Sequence, residues 1–346
     1  MAARWSPFHL RLHRQLLRRP ELLPRDGSLL LAVSGGQDSM ALAGLLLDLR
    51  RLHGWRLELW HGDHRWRNDS GSHADGLAQW AQAQGLTLHR DCWAEPKASE
   101  AAARQWRYRC LERLAADRGS DAVATGHTAS DRAETLLLNL SRGCHRRGLA
   151  SLPQQRPLGP SGIPLVRPLL IFERAETATI CQALELPVWL DASNTDPRFS
   201  RNRIRREVMP VLNALHPGVE RRLSGLAERL AAAEEEDIAL LNLALQALQP
   251  AQGARQAIGQ ANPPSLDRRG LLEVPAAAQR RLLSHWLKGA TQLQLAAEQL
   301  TTLLSRLQPW EQCGEQHLAD GWRLHWQGPT LWLTHGPAAA CDEPHT

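Results

Sequence analysis

A short run of small and polar residues, Ser34-Gly35-Gly36-Gln37-Asp38-Ser39, lies between an apolar segment and a helix-like segment. The backbone N–H groups of such a turn and the dipole of the following helix converge on one point and favour a phosphate. The glycines allow close backbone approach, the serines add hydroxyl donors, and the Asp38 carboxylate suits Mg²⁺. The Walker A and G-x-G-x-x-G patterns are absent, so a plain turn of small residues is the alternative.

A histidine and two acids form a second candidate group. His127 follows the apolar segment Asp121–Thr125, and Asp131 and Glu134 lie three residues apart at the start of the next predicted helix. Residues at this spacing share a helix face, so we expect both carboxylates to point towards the ends of the strands. Acids in a first turn also stabilise a helix through its dipole, which is the competing, purely structural interpretation.

Two arginines, Arg104 and Arg107, share one face of the predicted helix Glu100–Asp117. The planar guanidinium donates paired hydrogen bonds that match phosphate oxygens, which favours a phosphate-binding role. A solvated basic helix face is the alternative for both residues.

Strand and helix patterns alternate four times around these residues. The predicted strands are Leu29–Val33, Trp55–Trp60, Leu86–Cys92 and Asp121–Thr125, and the predicted helices are Ala41–Leu52, Asp75–Gln84, Glu100–Asp117 and Ala133–Leu140. Short apolar strands separated by helices predict an α/β domain with a parallel sheet covered on both faces and ligands at the carboxyl ends of the strands. We also predict a fifth strand, Ile163–Leu170, a helix, Glu173–Leu184, and a surface loop, Ser151–Gly162.

The pattern changes after residue 215. Leucines and isoleucine recur at steps of three to four in Val219–Leu248, which predicts one or two long amphipathic helices, and Leu271–Leu307 is largely helical as well. Trp322–His335 carries a Gly-Pro turn between two alternating runs, which is typical of a hairpin. We therefore predict a catalytic domain over 1–215, a smaller helical domain with a terminal hairpin over 216–335, and a tail over 336–346.

Composition narrows the class of protein. The chain has 346 residues with Lys+Arg 41 against Asp+Glu 36, a net charge of +5, so a polyanionic partner is permitted but not required. The six cysteines are far apart with no C-x-x-C, which argues against a zinc knuckle, an iron–sulfur site or a disulfide framework. No apolar run approaches the length of a membrane span. These features favour a cytoplasmic protein with no membrane partner.

The full S-G-G-x-D-S string resembles the PP-loop of the ATP pyrophosphatases, whose fold is adenine nucleotide alpha hydrolase-like. Further strings resemble, in order, those of the tRNA(Ile)-lysidine synthases, in a match that runs from about residue 28 to 212. They are His61–Arg67, Glu100–Tyr108, Thr125–His127 with Asp131–Thr135, Arg167–Leu170, Asp191–Asn194 and Arg201–Arg205. Asp63, Trp66 and Ser130 depart from the residues typical of that family, and the chain has about the length of the family's shorter members.

This resemblance implies a two-step ligation on cytidine 34 of an isoleucine tRNA that carries the CAU anticodon. The base is first adenylated by ATP with release of pyrophosphate, and the ε-amine of free L-lysine then displaces AMP. The product, lysidine, reads AUA rather than AUG. The implied cofactors are ATP and Mg²⁺, and a homodimer is left open.

The resemblance also implies roles for single residues. Catalysis is assigned to Asp38, His127 and Arg107, the ATP phosphates to Ser34–Ser39, and the substrate lysine to Asp131 and Glu134. Asp38 is also the transient Mg²⁺ ligand. The tRNA is assigned to Arg104, Asn194, Arg201 and Arg205.

Two other functions compete with this one. A tRNA 2-thiolation enzyme has the same PP-loop fold but needs sulfur-handling cysteines, and the sequence has no close pair. A non-catalytic RNA-binding protein with the same fold is the other alternative. The sequence argues against it, because it contains Asp38, Asp131 and Glu134.

Overall fold

The computed structural model describes residues 5–63, 70–94, 99–189, 199–250 and 263–336. It divides into two compact units, Met1–Glu234 and Glu235–Thr346. Among the described residues, no helix is both long and apolar enough to cross a membrane.

The first unit is built on a six-stranded sheet. Its spatial order is β3-β2-β1-β4-β6-β5, with β5 antiparallel to β6 and all other neighbours parallel. The strands are β1 (Ser28–Ala32), β2 (Arg56–Asp63), β3 (Thr87–Cys92), β4 (Ala122–Thr125), β5 (Gln155–Pro157) and β6 (Pro164–Val166). The helices are α1 (Pro7–Arg18), α2 (Gln37–His53), α3 (Ser70–Ala83), α4 (Glu100–Asp117), α5 (Ala129–Ser141), α6 (Arg146–Leu149), α7 (Arg174–Ala183), α8 (Ser200–Arg203), α9 (Met209–Leu215) and α10 (Val219–Ala247).

Both faces of this sheet are buried, as the predicted α/β class requires. Leu29 and Leu31 of β1 pack into one apolar cluster with residues of α1 and α2, whereas Leu30 between them packs into a second cluster with Leu111 of α4. Successive side chains of a strand point to opposite faces, so a central strand covered by helices on both sides carries apolar residues at every position. The predicted parallel sheet is confirmed.

Two predictions at the edge of the sheet are wrong. The expected fifth strand Ile163–Leu170 ends at Val166, because Pro168 begins a short 3₁₀ helix, Pro168–Ile171, that turns the chain away. The expected loop Ser151–Gly162 contains the edge strand β5. Its proline-rich sequence suggested a loop, but an edge strand needs backbone bonds on one side only, so Pro157 is tolerated there.

The second unit is not purely helical. The predicted hairpin is present as β9 (Trp322–Gln327) and β10 (Thr330–His335), and it belongs to a four-stranded antiparallel sheet of order β7-β10-β9-β8. Its remaining elements are β7 (Ser265–Asp267), α11 (Arg268–Glu273), α12 (Ala276–Thr291), α13 (Ala297–Arg306) and β8 (Cys313–His317). Leu283, Leu303 and Leu331 are buried in its core. The three-residue β7 and the polar β8 are too short or too weakly patterned to be found from sequence.

The two units divide within α10, between Glu234 and Glu235, rather than at the predicted 215/216. Within the first unit, Glu220 and Glu228 of this helix contact Ser130 and Arg132. The change of pattern after His216 marks the start of a helix, and the first half of that helix still belongs to the first unit.

Candidate active site

The Ser34–Ser39 segment, called the PP-loop below, joins the end of β1 to the start of α2 as predicted. Gly36 caps α2, so the first N–H groups of a 17-residue helix open onto the loop. Ser39 Oγ accepts from the Ser34 N–H at 3.1 Å and donates to the Gly36 carbonyl at 2.8 Å. These bonds hold the loop in a closed ring whose unsatisfied helix N–H groups are suited to phosphate oxygens.

Two glycines are required here by close approach. Gly35 has φ +84°, and a Cβ at this position would lie 3.2 Å from the Trp189 ring. Gly126 follows β4, the neighbour of β1, and a Cβ on it would lie 2.7 Å from the Asp38 carbonyl oxygen. The missing side chain of Gly126 therefore lets the Thr125-Gly126-His127 segment pack directly against the PP-loop.

Asp38 is held by residues of α7. Its Oδ1 accepts from the Thr177 hydroxyl at 2.5 Å, and its Oδ2 lies 3.1 Å from Arg174 Nη2. Burial raises the pKa of Asp38 above its ordinary value and the nearby Asp131 raises it further, although Arg174 acts in the opposite direction. The loop is thus anchored to α7, an element for which the sequence suggested no role.

Asp131 caps a helix and also pairs with two arginines. Its Oδ2 accepts from the Thr128 N–H at 2.8 Å and completes a capping box at the start of α5. Its Oδ1 accepts from Arg174 Nη2 at 3.0 Å and from Arg201 Nη2 at 2.9 Å. Burial alone would raise the pKa of Asp131, but Arg201 and Arg174 outweigh it and hold the pKa well below its usual range.

Glu134 is 2% exposed and lies one turn further along α5. Its carboxylate accepts from Arg201 Nε at 2.9 Å and from Arg205 Nε and Nη2 at 2.6 and 2.8 Å. Arg201 belongs to α8 and Arg205 to the π-helical turn Ile204–Val208 that follows it. Interruptions of this kind in a helix are frequent at functional sites.

These contacts define an acid–arginine cluster, formed by Asp38, Asp131, Glu134, Arg174, Arg201 and Arg205. Three carboxylates face three guanidiniums, so the formal charges balance. Asp131 and Glu134 share a helix face as predicted, but both carry arginine partners that a lysine ammonium would have to replace. Arg201 and Arg205, expected to face tRNA phosphates, face these acids instead.

His127 lies beside this cluster at the end of β4. Its Nδ1 is 2.9 Å from Thr125 Oγ1, and that hydroxyl also lies 3.4 Å from the Val166 carbonyl. Burial lowers the pKa of His127 well below its ordinary value; Asp131 opposes this effect, and Arg167 and Arg107 add to it. The imidazole is therefore neutral at physiological pH.

Arg104 and Arg107 flank Tyr108 on α4, with their guanidinium carbons 5.1 and 5.6 Å from the centre of its ring. Arg104 is exposed, while Arg107 is partly buried and its pKa is lowered by desolvation. Arg107 and His127 influence each other electrostatically, which places this end of α4 near the acid–arginine cluster.

Other predicted site residues lie outside the described residues. These are Asn194 with its neighbours in the Asp191–Asn194 string, and His64–Arg67. Within the described part, His61 Nδ1 bonds the Val33 carbonyl at 2.9 Å, and Ser130 Oγ bonds the Glu220 carboxylate and the Arg174 N–H.

The sequence reasoning missed Arg174 and Thr177. Both lie on the predicted helix Glu173–Leu184, whose start directly follows the Arg167–Leu170 string. The helix itself was predicted. Its position next to the PP-loop depends on the order of the strands in the sheet, which no local sequence pattern indicates.

A family model described as a PP-loop domain matches residues 10–212, more than half of the chain. A tRNA(Ile)-lysidine synthase of Parasynechococcus marenigrum is 48% identical over 98% of this chain and 98% of its own length. Proteins of the same name from Prochlorococcus marinus and Gloeobacter violaceus are 38% and 41% identical over 95% and 94% of this chain, and 96% and 97% of their own lengths.

Among solved structures, the U34-tRNA thiolase NcsA of Methanococcus maripaludis matches with a TM-score of 0.56 at 18% identity. The match covers 65% of this chain and 78% of that one, and at this identity it shows a shared fold alone. The near full-length relatives, in contrast, are 38% to 48% identical to this chain in sequence. Together with the PP-loop model they show that this chain belongs to the tRNA(Ile)-lysidine synthases.

Proposed function

We propose that this protein ligates lysine to C2 of cytidine 34 in a CAU-anticodon isoleucine tRNA, in two steps. In the first, O2 of the base forms a bond to the α-phosphorus of ATP and pyrophosphate leaves. In the second, the lysine ε-nitrogen forms a bond to C2, the C2–O2 bond breaks and AMP leaves. The observation that carries this proposal is the packing of the PP-loop against His127 and the acid pair, in a chain that aligns with relatives of that name from end to end.

The PP-loop provides the site for the pyrophosphate part of ATP. The free N–H groups at the start of α2 and the Ser34 hydroxyl donate to phosphate oxygens, and the helix dipole stabilises their charge. The glycine at position 126 lets His127 approach the loop within one strand spacing, so the α-phosphate would lie between the loop and the imidazole. Arg107, whose charge acts on His127, is a cation suited to the charge that develops on that phosphate.

His127 acts as the proton acceptor in the second step. The Thr125 hydroxyl points towards the Val166 carbonyl, so its oxygen accepts the hydrogen of His127 Nδ1 and leaves Nε2 with a lone pair. The low pKa keeps this nitrogen unprotonated at neutral pH. The lysine ε-nitrogen loses a proton as it bonds to C2, and the free lone pair of the neutral imidazole is available to accept it.

Mg²⁺ fits the carboxylates of Asp38 and Asp131. One guanidinium nitrogen of Arg174 bridges them at 3.1 and 3.0 Å, so the two oxygens already share a single cation. Two carboxylate oxygens together with substrate phosphates are a donor set typical of Mg²⁺. A bound Mg²⁺ would neutralise charge on the phosphates.

Lysine recognition requires an exchange of cations at Glu134. A substrate ammonium that binds this buried carboxylate replaces Arg201 or Arg205, and the released guanidinium becomes available to phosphate oxygens. The arginines thus keep the acid pair neutralised until the substrates are present. In this scheme, Arg201 and Arg205 pair with the acids in the free protein and contact the tRNA only after lysine has bound.

Pyrophosphate exchange into ATP with and without the tRNA tests the first step, and incorporation of radiolabelled lysine into acid-precipitable RNA tests the second. We expect exchange to depend on the tRNA, and lysine to be incorporated only into CAU-anticodon transcripts. Incorporation of sulfur instead of lysine would contradict the proposal and favour thiolation.

We infer that the reaction takes place in the cytoplasm, where the tRNA and free lysine are both present. The homodimer stays a prediction.

A further inference from the structure

Four arginines surround the Tyr108 side chain next to the candidate active site. The guanidinium carbons of Arg104, Arg107 and Arg156 lie 5.1, 5.6 and 4.6 Å from the centre of its ring. Arg167, directly after β6, also acts on Tyr108 electrostatically and is 1% exposed. We call these five residues the arginine nest.

The nest contains no carboxylate. Among the described residues, none of its four arginines forms an ion pair; the Arg156 and Arg167 guanidiniums donate to the backbone carbonyls of Pro157 and Pro153 and also act on the Tyr108 hydroxyl. Arg167 Nε is buried without a hydrogen-bond partner in the same part of the chain, and the buried Tyr108 hydroxyl has guanidinium groups as its neighbours. Buried polar groups normally have a hydrogen-bond partner, so the nest lacks an anionic acceptor for its guanidinium donors.

Electrostatics support the same conclusion. Burial would raise the pKa of Tyr108, but Arg104 and Arg107 outweigh it and lower the pKa to about 8. Desolvation lowers the pKa of Arg167 to about 10, with Arg156 and Arg104 acting in the same direction. Several positive charges held close together are electrostatically unfavourable. Such an arrangement is typical of a site that is completed by a bound anion.

The position of the nest indicates which anion. The PP-loop follows β1, His127 follows β4 and Arg167 follows β6, and these strands are adjacent in that order. The nest is therefore two strand spacings, about 10 Å, from the PP-loop, with His127 between them. A phosphate in the nest lies on the far side of the reacting atoms from the pyrophosphate of ATP.

We propose that the arginine nest binds a backbone phosphate of the tRNA next to the target cytidine and so fixes the base beside His127. This rests on the proposed function and adds Tyr108, Arg156 and Arg167 to its binding residues. Arg–phosphate pairs are often bidentate, which would supply both affinity and orientation. The exposed Arg104 and partly buried Arg156 form the open side of the nest.

Binding of an anticodon stem-loop RNA to Arg156→Gln, with Arg109→Gln as the matched control, tests the proposal. Arg109 is exposed on α4, so both variants lose one positive charge. We expect Arg156→Gln to weaken binding about tenfold and to reduce the slope of log affinity against log salt by about 0.7, the value for one contact to single-stranded RNA. Arg109→Gln should change neither quantity. Equal effects of both variants would overturn the proposal.

The Tyr108 hydroxyl supplies an independent measurement, because the chain has a single tyrosine. Its titration can be followed by NMR of isotope-labelled tyrosine in the full-length protein. A phosphate in the nest offsets the positive charge, so the stem-loop should raise the pKa of Tyr108 towards its ordinary value, and Arg156→Gln should weaken this response. ATP with Mg²⁺ should leave the pKa unchanged.

A rise with ATP but not with RNA would assign the nest to the nucleotide and overturn the tRNA assignment. No response to either ligand would overturn the site itself. Neither measurement requires ligation, so a failure here is separate from a failure to incorporate lysine.

Discussion

The two arginine groups of the catalytic unit have the same side chains and opposite surroundings. In the acid–arginine cluster, Arg174, Arg201 and Arg205 face three carboxylates at 2.6 to 3.1 Å. In the arginine nest, four guanidiniums surround one phenol and no described carboxylate pairs with them. The first group is electrostatically complete without a ligand, and the second is not.

This difference indicates that paired arginines stabilise the protein, whereas unpaired ones are available to a substrate. Removing one partner of a buried ion pair leaves an uncompensated charge, but removing one of several crowded like charges relieves repulsion. The two groups should therefore respond to mutation in different ways. The following predictions use that contrast, beginning with the largest effect.

Asp38→Asn should reduce pyrophosphate release about a thousandfold, because it removes the charge that holds Mg²⁺ and Arg174 beside the phosphates. The measurement is tRNA-dependent pyrophosphate release under saturating ATP. Arg174 keeps Asp131 as its counter-charge and the amide keeps the contact with Thr177, so the denaturant midpoint of unfolding should stay near the wild-type value. Pyrophosphate release at the wild-type rate would remove Asp38 from the catalytic site.

Glu134→Gln should lower the free energy of unfolding by about 3 kcal/mol, because Arg201 and Arg205 lose their buried counter-charge. Arg156→Gln should change it by less than about 1 kcal/mol, since repulsion within the nest falls while a cation–π contact is lost. Urea denaturation of both variants measures the contrast. Glu207→Gln, which breaks the exposed Arg203–Glu207 pair, is the control and should have little effect.

Equal destabilisation by Glu134→Gln and Arg156→Gln would show that the nest stabilises the folded protein as much as the cluster does, and would contradict the contrast.

The pH dependence of stability should reveal Tyr108. Its pKa is about 8 in the folded protein against 10.0 unfolded, so the unfolded state binds more protons between these values and stability gains with rising pH. The contribution is complete above pH 10 and is lost as the pH falls through 8, with a size of about 3 kcal/mol. Tyr108→Phe should remove this gain relative to wild type when unfolding is followed from pH 7 to 10. An unchanged pH profile in the variant would show that the nest does not perturb the phenol.

Lysine kinetics give the smallest predicted effect. In Glu134→Gln, the apparent KM for lysine should rise about tenfold while adenylation continues, because the amide oxygen still accepts a hydrogen bond from the ammonium but the charge-assisted contact is lost. Adenylated tRNA should then accumulate at low lysine and be resolved by gel electrophoresis. If pyrophosphate exchange collapses at unchanged lysine KM, Glu134 supports adenylation through Arg201 and Arg205, and the lysine pocket lies elsewhere.

Much of the catalytic unit was predictable from local patterns. The bounds of α4 were found to the residue, and β1, β2, β3, β4 and α5 were found within a few positions, because apolar periodicity and the Gly-Gly turn are local signals. The predictions at the sheet edge were wrong because β5 and β6 have only three residues each and each contains a proline. Such short segments pair only because a neighbouring strand is already in place.

The sequence by itself determined the composition of the site: a phosphate-binding turn at the end of one strand, a histidine at the end of another, and two acids on one face of a helix. Which charges meet was decided only by the tertiary structure. Arg174 is 136 positions from Asp38, and Arg205 is 71 positions from Glu134. An arginine in sequence looks the same whether it will face a carboxylate or three other arginines, because its partner depends on which elements the fold brings together across the sheet.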